Sequence, residues 1–545
     1  MADQRLFDTI VRDYFETSYR LQPVEATWLG VHTYDDQLGD FTDDGFEERA
    51  AVAREFQARL AGVQPDVLAP AERVDYALLQ SDMATTLLFV EEIAHWRKDP
   101  NLYAEYPLMG VFLLATRDFA PLEQRLQRAL GRLRAVPQVL AAGRQNVANP
   151  PAVFCHVAAQ TAAGGAAFLR GLVPQLARQV REDLRQAVLE ASETAAQAYE
   201  AYRDWVQQDL LPVAGGDFAI GRERFNTLLR VQHHLTLNAD DLEAVGRRLF
   251  AETRAALDRL AERIAPGRPW RDLVEEAKAD HPRAGELLDA YRAELARLKT
   301  FLRDRDLVTV PDYAEDLEVV ETPTFQRGLV PYAAYMAPAP FEARQRGQFW
   351  VTPVDPHAPP EAQERQLREH STFSYPITAL HEAYPGHHLQ LTIANQVPSF
   401  VRKHVHSSLF AEGWAFYCEA LMAEQGYFPD PRHLLFQLKD QLWRAARVVI
   451  DVGLHTGAMD VETGVRILVD DVALEEEQAR AEVRRYAASP TQPSSYAVGK
   501  DLILALRGEF SGLGLRAFHD ALLASGTIPL PLVRGEMARH LAEAT

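Results

Sequence analysis

The chain has 545 residues, 47% of them apolar and 25% charged, with a formal net charge of −20. That composition is ordinary for a folded globular protein and supplies a large core, and the acid excess makes nucleic acid a poor partner, because phosphate binding needs a clustered basic footprint. The two cysteines, Cys155 and Cys418, are too few and too far apart for a disulfide framework, which fits a reducing compartment.

The N-terminal stretch MADQRLFDTIVRDYFETSYR is amphipathic and lacks the apolar core of a secretory signal. Uninterrupted apolar runs stay well below the ~18 residues of a membrane span; the nine-residue PLMGVFLLA is among the longest. A cytoplasmic protein with no membrane partner is the expectation.

In chain order, helical periodicity dominates. Phe7, Ile10, Val11, Tyr14 and Phe15 recur at spacings of three and four and predict a first amphipathic helix. Further helices are expected within Gly45–Leu60, Ala71–Trp96, Pro121–Ala142, Leu184–Leu211, Asp240–Ile264 and Ala284–Arg303. The sequence NAD before DLEAVGRRLF supplies capping residues and an acidic first turn for one of them. Strand-like sequence is confined to DLVTVP (Asp306–Pro311), DLEVVETP (Asp316–Pro323) and GQFWVTP (Gly347–Pro353), each short, β-branched or aromatic, and bounded by proline. TPVDPHAPPEAQE (Thr352–Glu364) then reads as a loop. The expected architecture is mainly α: one catalytic unit over residues 1–545, with an N-terminal helical lobe (1–304) and a C-terminal lobe (305–545). The lobes are expected to enclose a deep cleft, with a small edge β-sheet near the active site.

Chemistry concentrates in TALHEAYPGHHLQ (Thr378–Gln390). Five of the 17 histidines lie between His381 and His406, and neutral imidazole is the commonest metal ligand. His381 and Glu382 begin a His-Glu-x-x-His pattern, but Pro385 stands where the second histidine belongs. On an unbroken helix, His388 would share a face with His381. Pro385 and Gly386 break that helix, so a bulge could aim His387 instead, and spacing leaves the choice open. FAEGWAFYCEALM (Phe410–Met422) carries Glu412 and Glu419 in an apolar helical run. A buried glutamate there needs a partner or a metal, and a downstream helix supplying one glutamate completes many two-His-plus-Glu zinc sites. Glu412 is the chosen third ligand. Glu419 either orients a histidine or lies in solvent, and solvent is the expectation. RVVIDVGLHTG (Arg447–Gly457) and PTQPSSYAVGK (Pro490–Lys500) offer His455 and Tyr496 as donors to a developing oxyanion.

HEAYPGHHLQ, EGWAFYCE, RVVIDVGLH and SYAVGK, in this order and spacing, resemble the bacterial family called domain of unknown function 885. The resemblance implies a helical fold related to zinc peptidases such as carboxypeptidase Taq, thimet-type oligopeptidases and angiotensin-converting enzyme. It points to His387 over His388, and implies one zinc ion held by His381, His387 and Glu412, with Glu382 as general base and His455 and Tyr496 as oxyanion or substrate contacts. The function this implies is zinc-dependent hydrolysis of amide bonds in short peptides. In that reading GQFWVTP, with Phe349 and Trp350, binds extended substrate by strand addition, and Arg444, Arg447 and Lys500 are candidates for gripping a substrate carboxylate. The alternatives are hydrolysis of a specialised small amide, a non-haem iron oxygenase using two histidines and a carboxylate, and a helical binding protein with a structural metal.

Overall fold

The structure, a computed structural model, describes residues 2–322, 327, 330 and 332–543. Helices dominate it, and the sheet among the described residues has three strands, so the protein is mainly α. The helix Ala2–Leu21 buries Phe7, Ile10, Val11, Tyr14 and Phe15. The helices Asp43–Leu60, Leu122–Asn146, Ala239–Ile264 and Leu287–Asp304 lie where periodicity puts them, while the helix expected over 184–211 ends at Trp205 and continues as a π turn, Val206–Leu210. Asn238 caps one of them, its side chain accepting from the N–H groups of Asp240 and Asp241 at 2.8 and 3.1 Å. The stretch expected as one helix over 71–96 is divided into Pro70–Leu87, a π turn Leu88–Glu92 and a 3-10 turn His95–Arg97.

The chain forms two compact units: Met1–Ile220 with Ala339–Arg344, and Gly221–Pro338 with Gln345–Thr545. The expected boundary at 304 therefore falls inside the second unit. Composition cannot mark the true division, because Ala239–Ile264 and Leu287–Asp304 look like the helices before them. Their partners decide the matter: the first packs on Pro431–His455, and the second on Tyr375–Glu382. In the first unit, Pro100–Thr116, Leu122–Asn146, Ala152–Ala177 and Glu182–Trp205 pack on one another. Ala152–Ala177 is the described helix long and apolar enough to cross a membrane by length and composition; 56% of its most apolar window is buried.

The sheet lies in the second unit: β1 (Leu317–Glu321), β2 (Ala333–Met336) and β3 (Gly347–Val351), in the order β1-β3-β2. β3 runs parallel to β1 and antiparallel to β2, with Phe349 opposite both Val319 and Tyr335. Two expectations are corrected. Residues 306–311 form no strand, because helix Leu515–Leu523 satisfies their backbone through side chains: His519 Nδ1 donates to the Leu307 carbonyl, and Asp520 accepts from the Thr309 N–H. β3 is the central strand rather than an edge, and Phe349 (0% exposed) and Trp350 (4%) belong to the core, Phe349 packing 5.2 Å from the Tyr291 ring. Both sides of β3 are taken, so no substrate strand adds to it. The edge strand packed on helix Tyr375–Glu382 is β2.

Candidate metal centre

The helix Tyr375–Glu382 stops just past His381, and a second helix, His387–Ala394, starts after a cis Tyr384–Pro385 peptide. Between them Gly386 folds back so that its N–H donates to the Leu380 carbonyl at 3.0 Å. A Cβ at position 386 would stand 1.9 Å from the His381 carbonyl oxygen and 2.5 Å from that of Leu380, an approach only glycine permits. Trp414 pins the same turn, its Nε1–H donating to the Pro385 carbonyl at 2.8 Å. The fold-back presents His387 to His381, their rings 4.8 Å apart and nearly perpendicular at 87°.

Glu412 completes the cluster from helix Ser408–Glu424. Its Oε2 lies 3.7 Å from His381 Nε2 and 3.3 Å from His387 Nε2. Zinc bonds of ~2.0–2.2 Å in tetrahedral array separate neighbouring donors by about 3.3–3.6 Å, and the two Glu412–histidine separations are close to that. Glu412 Oε2 and His387 Nδ1 are buried without a hydrogen-bond partner, the state expected of groups arranged for something other than each other. Burial disfavours a charge on His381, but the nearby Glu412 carboxylate and the hydrogen bond to Glu419 outweigh it and raise its pKa to about 10. Burial works against the Glu412 charge too, yet the two histidines hold its pKa well below the ordinary value. The pocket thus attracts positive charge, which a divalent cation supplies more fully than a proton.

His388 stands elsewhere. Its Nε2–H donates to the Ala314 carbonyl at 2.8 Å and its Nδ1 accepts from the Tyr335 hydroxyl at 2.9 Å. With both nitrogens engaged, and burial lowering its pKa to about 4, it is a neutral structural bridge.

Glu419 is corrected from solvent to interior. It is 1% exposed, and its Oε1 accepts from His381 Nδ1 at 2.8 Å, leaving Nε2 for a cation. Such carboxylate–histidine pairs orient a ligand and raise its basicity. Glu419→Gln should therefore lower zinc affinity by roughly 10- to 100-fold in competition against a chromogenic chelator. Unchanged affinity would remove Glu419 from the site. Lys500, expected at substrate, instead lies behind this pair. It is 8% exposed, donates to Gln441 Oε1 at 2.5 Å, and is pushed down to about 8 by burial, with the Glu419 charge opposing.

Tyr496 comes within electrostatic reach of Glu412 because their two helices nearly touch. A Cβ on Gly499 would lie 2.1 Å from the Leu409 carbonyl oxygen and 2.7 Å from Gly413 Cα, so helix Ser495–Glu509 presses against the helix of Glu412. Burial and the Glu412 charge raise the Tyr496 pKa, which keeps the phenol protonated as a donor. Glu382, half-buried beside His381, acts electrostatically on His381 and on Tyr335 of β2. His406 received no role from the sequence beyond its place in the histidine run. It is exposed, and the charges of Glu412 and His387 reach it.

His455 and Arg447 serve the framework. His455, expected as an oxyanion donor, is 0% exposed, and its Nε2–H donates to the Tyr486 carbonyl at 3.0 Å. Arg447 is 5% exposed; its Nε–H donates to the Tyr486 hydroxyl at 2.9 Å, and its Nη2 lies 3.2 Å from Glu482 Oε2. One turn before His455, Asp451 anchors the turn leading into Tyr496, accepting from the Ser494 hydroxyl at 2.5 Å and the Thr491 N–H at 3.1 Å. Burial raises its pKa from 3.8 to about 7. A raised carboxyl favours folding while protonated, so its contribution is complete below about pH 4 and is lost as pH rises to about 7. Asp451→Asn should flatten stability against pH across that window, as read from melting temperatures. An unaltered slope would contradict the assignment.

Helical packing around a two-His-one-Glu cluster defines the class: a mainly α protein with a candidate metal centre. The model of the family described as bacterial protein of unknown function (DUF885) matches residues 23–537, and the chain belongs to that family. Two solved structures share the fold. One is a Shewanella oneidensis protein of unknown function, provisionally described as a lipoprotein, with 23% identity and a TM-score of 0.82 over 98% of this chain and 99% of that one. The other, from Colwellia psychrerythraea and likewise provisionally described as a lipoprotein, has 18% identity and a TM-score of 0.83 over 100% of both chains. No curated protein matches the chain.

Proposed function

We propose that the protein is a zinc-dependent hydrolase of amide bonds in short peptides. The observation that carries this reading is the convergence of His381, His387 and Glu412, one ligand atom from each lying within 4.8 Å of the others, with Glu382 next in sequence to a ligand. His381, His387 and Glu412 would hold the ion, and Glu419 would fix His381 from behind. When bound, the cation supplies Lewis acidity, polarising an amide carbonyl and bringing the pKa of a water toward ~7.

The protein's own groups do the rest. Glu382 takes a proton from the attacking water and returns it to the leaving amine. Tyr496 donates its phenolic hydrogen to the developing oxyanion, and its raised pKa keeps that hydrogen in place near neutrality. β2 offers main-chain groups to an extended substrate, largely indifferent to side chains. The histidine–glutamate pair of HEAYPGHH and the downstream glutamate of EGWAFYCE follow the donor pattern of many two-His-plus-Glu zinc hydrolases, which supports the same chemistry.

Digestion of a peptide mixture by zinc-loaded protein, read by mass spectrometry, tests the proposal. New termini should form, vanish after chelation and return with added zinc. A mixture left intact by fully loaded protein would rule out peptide hydrolysis and turn attention to small non-peptide amides.

A further inference from the structure

Around Tyr496, three guanidinium groups meet two carboxylates. The Arg447 and Arg444 guanidinium carbons lie 4.7 and 5.8 Å from the Tyr496 ring centre. Arg447 is satisfied by Tyr486 and Glu482, and Glu482 also accepts from Arg485 at 2.9 Å. Arg444 is different. The carboxylate beside it is Asp440, one turn earlier on the same helix, at 3.4 Å, and its Nε is buried with no hydrogen-bond partner.

A buried donor left unmet is costly, and an incoming acceptor would remove that cost. The surroundings suit a planar anion. Phe416 and Trp443 lie 5.5 and 5.3 Å from the guanidinium carbon, which limits water and holds the fork in place. A guanidinium fork matches a carboxylate through two parallel hydrogen bonds.

We propose that Arg444 binds the C-terminal carboxylate of the substrate, which makes the protein a hydrolase that releases short fragments from the C-terminal ends of peptides. The reaction rests on the function proposed above; the binding does not. Tyr496 ties the two together: the Glu412 charge acts on it, and its ring centre lies 5.8 Å from the Arg444 guanidinium carbon. An extended chain advances only ~3.3–3.6 Å per residue, so the span from Arg444 to the metal centre sets how many residues leave with the carboxylate. In the reaction the water oxygen bonds to the acyl carbon and the C–N bond breaks. The proton taken up by Glu382 then goes to the amine of the departing C-terminal fragment.

The test pairs one short N-acetylated peptide as free acid with the same peptide as C-terminal amide. In zinc-loaded Glu382→Gln protein, calorimetry should show the acid binding roughly 10- to 100-fold more tightly than the amide. Adding Arg444→Gln should erase that difference and leave amide binding within about twofold, with melting temperature as a check on folding. The acid–amide comparison with Arg444 intact needs no second substitution, so a misfolded double variant does not cloud it. Wild-type turnover should favour the acid by a similar factor. Equal binding of acid and amide, or no binding of either, overturns the Arg444 assignment. Turnover without acid preference overturns it too while leaving hydrolysis standing, whereas acid-selective binding without any turnover upholds Arg444 and sinks the hydrolase.

Discussion

Replacing Glu382 with glutamine should lower the proposed amide hydrolysis by about 10²- to 10⁴-fold and should leave zinc content unchanged. Glutamine keeps the size of the side chain and removes its capacity to accept a proton, and it leaves His381, His387 and Glu412 in place. Paired kinetics and metal analysis therefore separate three chemistries. A hydrolase loses kcat and keeps its ion. An oxygenase built on the same two histidines and carboxylate has no need of a base at this position, and keeps its activity. A structural ion shows neither activity nor a solvent position open to exchange. Loss of metal together with activity would mean that residue 382 holds the site together, and the assignment of Glu382 as base would fall.

Gly386→Ala is the second large effect. The cost of a side chain at this residue is read from collision. The added carbon meets the His381 carbonyl oxygen at 1.9 Å and the Leu380 carbonyl oxygen at 2.5 Å, and neither is the end of a flexible side chain. The fold-back must open, which carries His387 away from His381. The expected loss is about 3 kcal/mol or more of stability, with zinc affinity falling by roughly 100-fold or more. Gly171→Ala is the control: nothing lies within 4 Å of its added carbon, so a mid-helix alanine there gains about 0.5–1 kcal/mol. A Gly386→Ala protein that melts and binds zinc like the parent would refute the fold-back account of the site.

Helix positions were legible because burial of an apolar stripe follows spacing along the chain. Phe7, Ile10 and Tyr14 needed no knowledge of their partners to be placed inside. The candidate cluster was legible for a related reason: histidines and glutamates in apolar, turn-broken sequence carry a desolvation cost that calls for a partner. Strand order was not legible. β3 is bounded by proline like an edge strand, and only its pairing with β1 and β2 on either side makes it central. The fate of Glu419 depended equally on contacts far along the chain, since a carboxylate on an apolar helix reads as outward until His381 is seen beside it.

The sequence by itself determined the helical class, the residue types that could hold a cation, and a break at Pro385-Gly386 between two candidate histidines. Tertiary structure alone decided that His387 turns toward Glu412 while His388 bridges Ala314 and Tyr335. It alone separated Arg444, with a buried nitrogen unmet, from Arg447, whose charge Glu482 answers. The physical reason is that intrinsic preferences act over a few bonds, whereas coordination and charge pairing act through space between segments the chain holds far apart. No local pattern contains that distance.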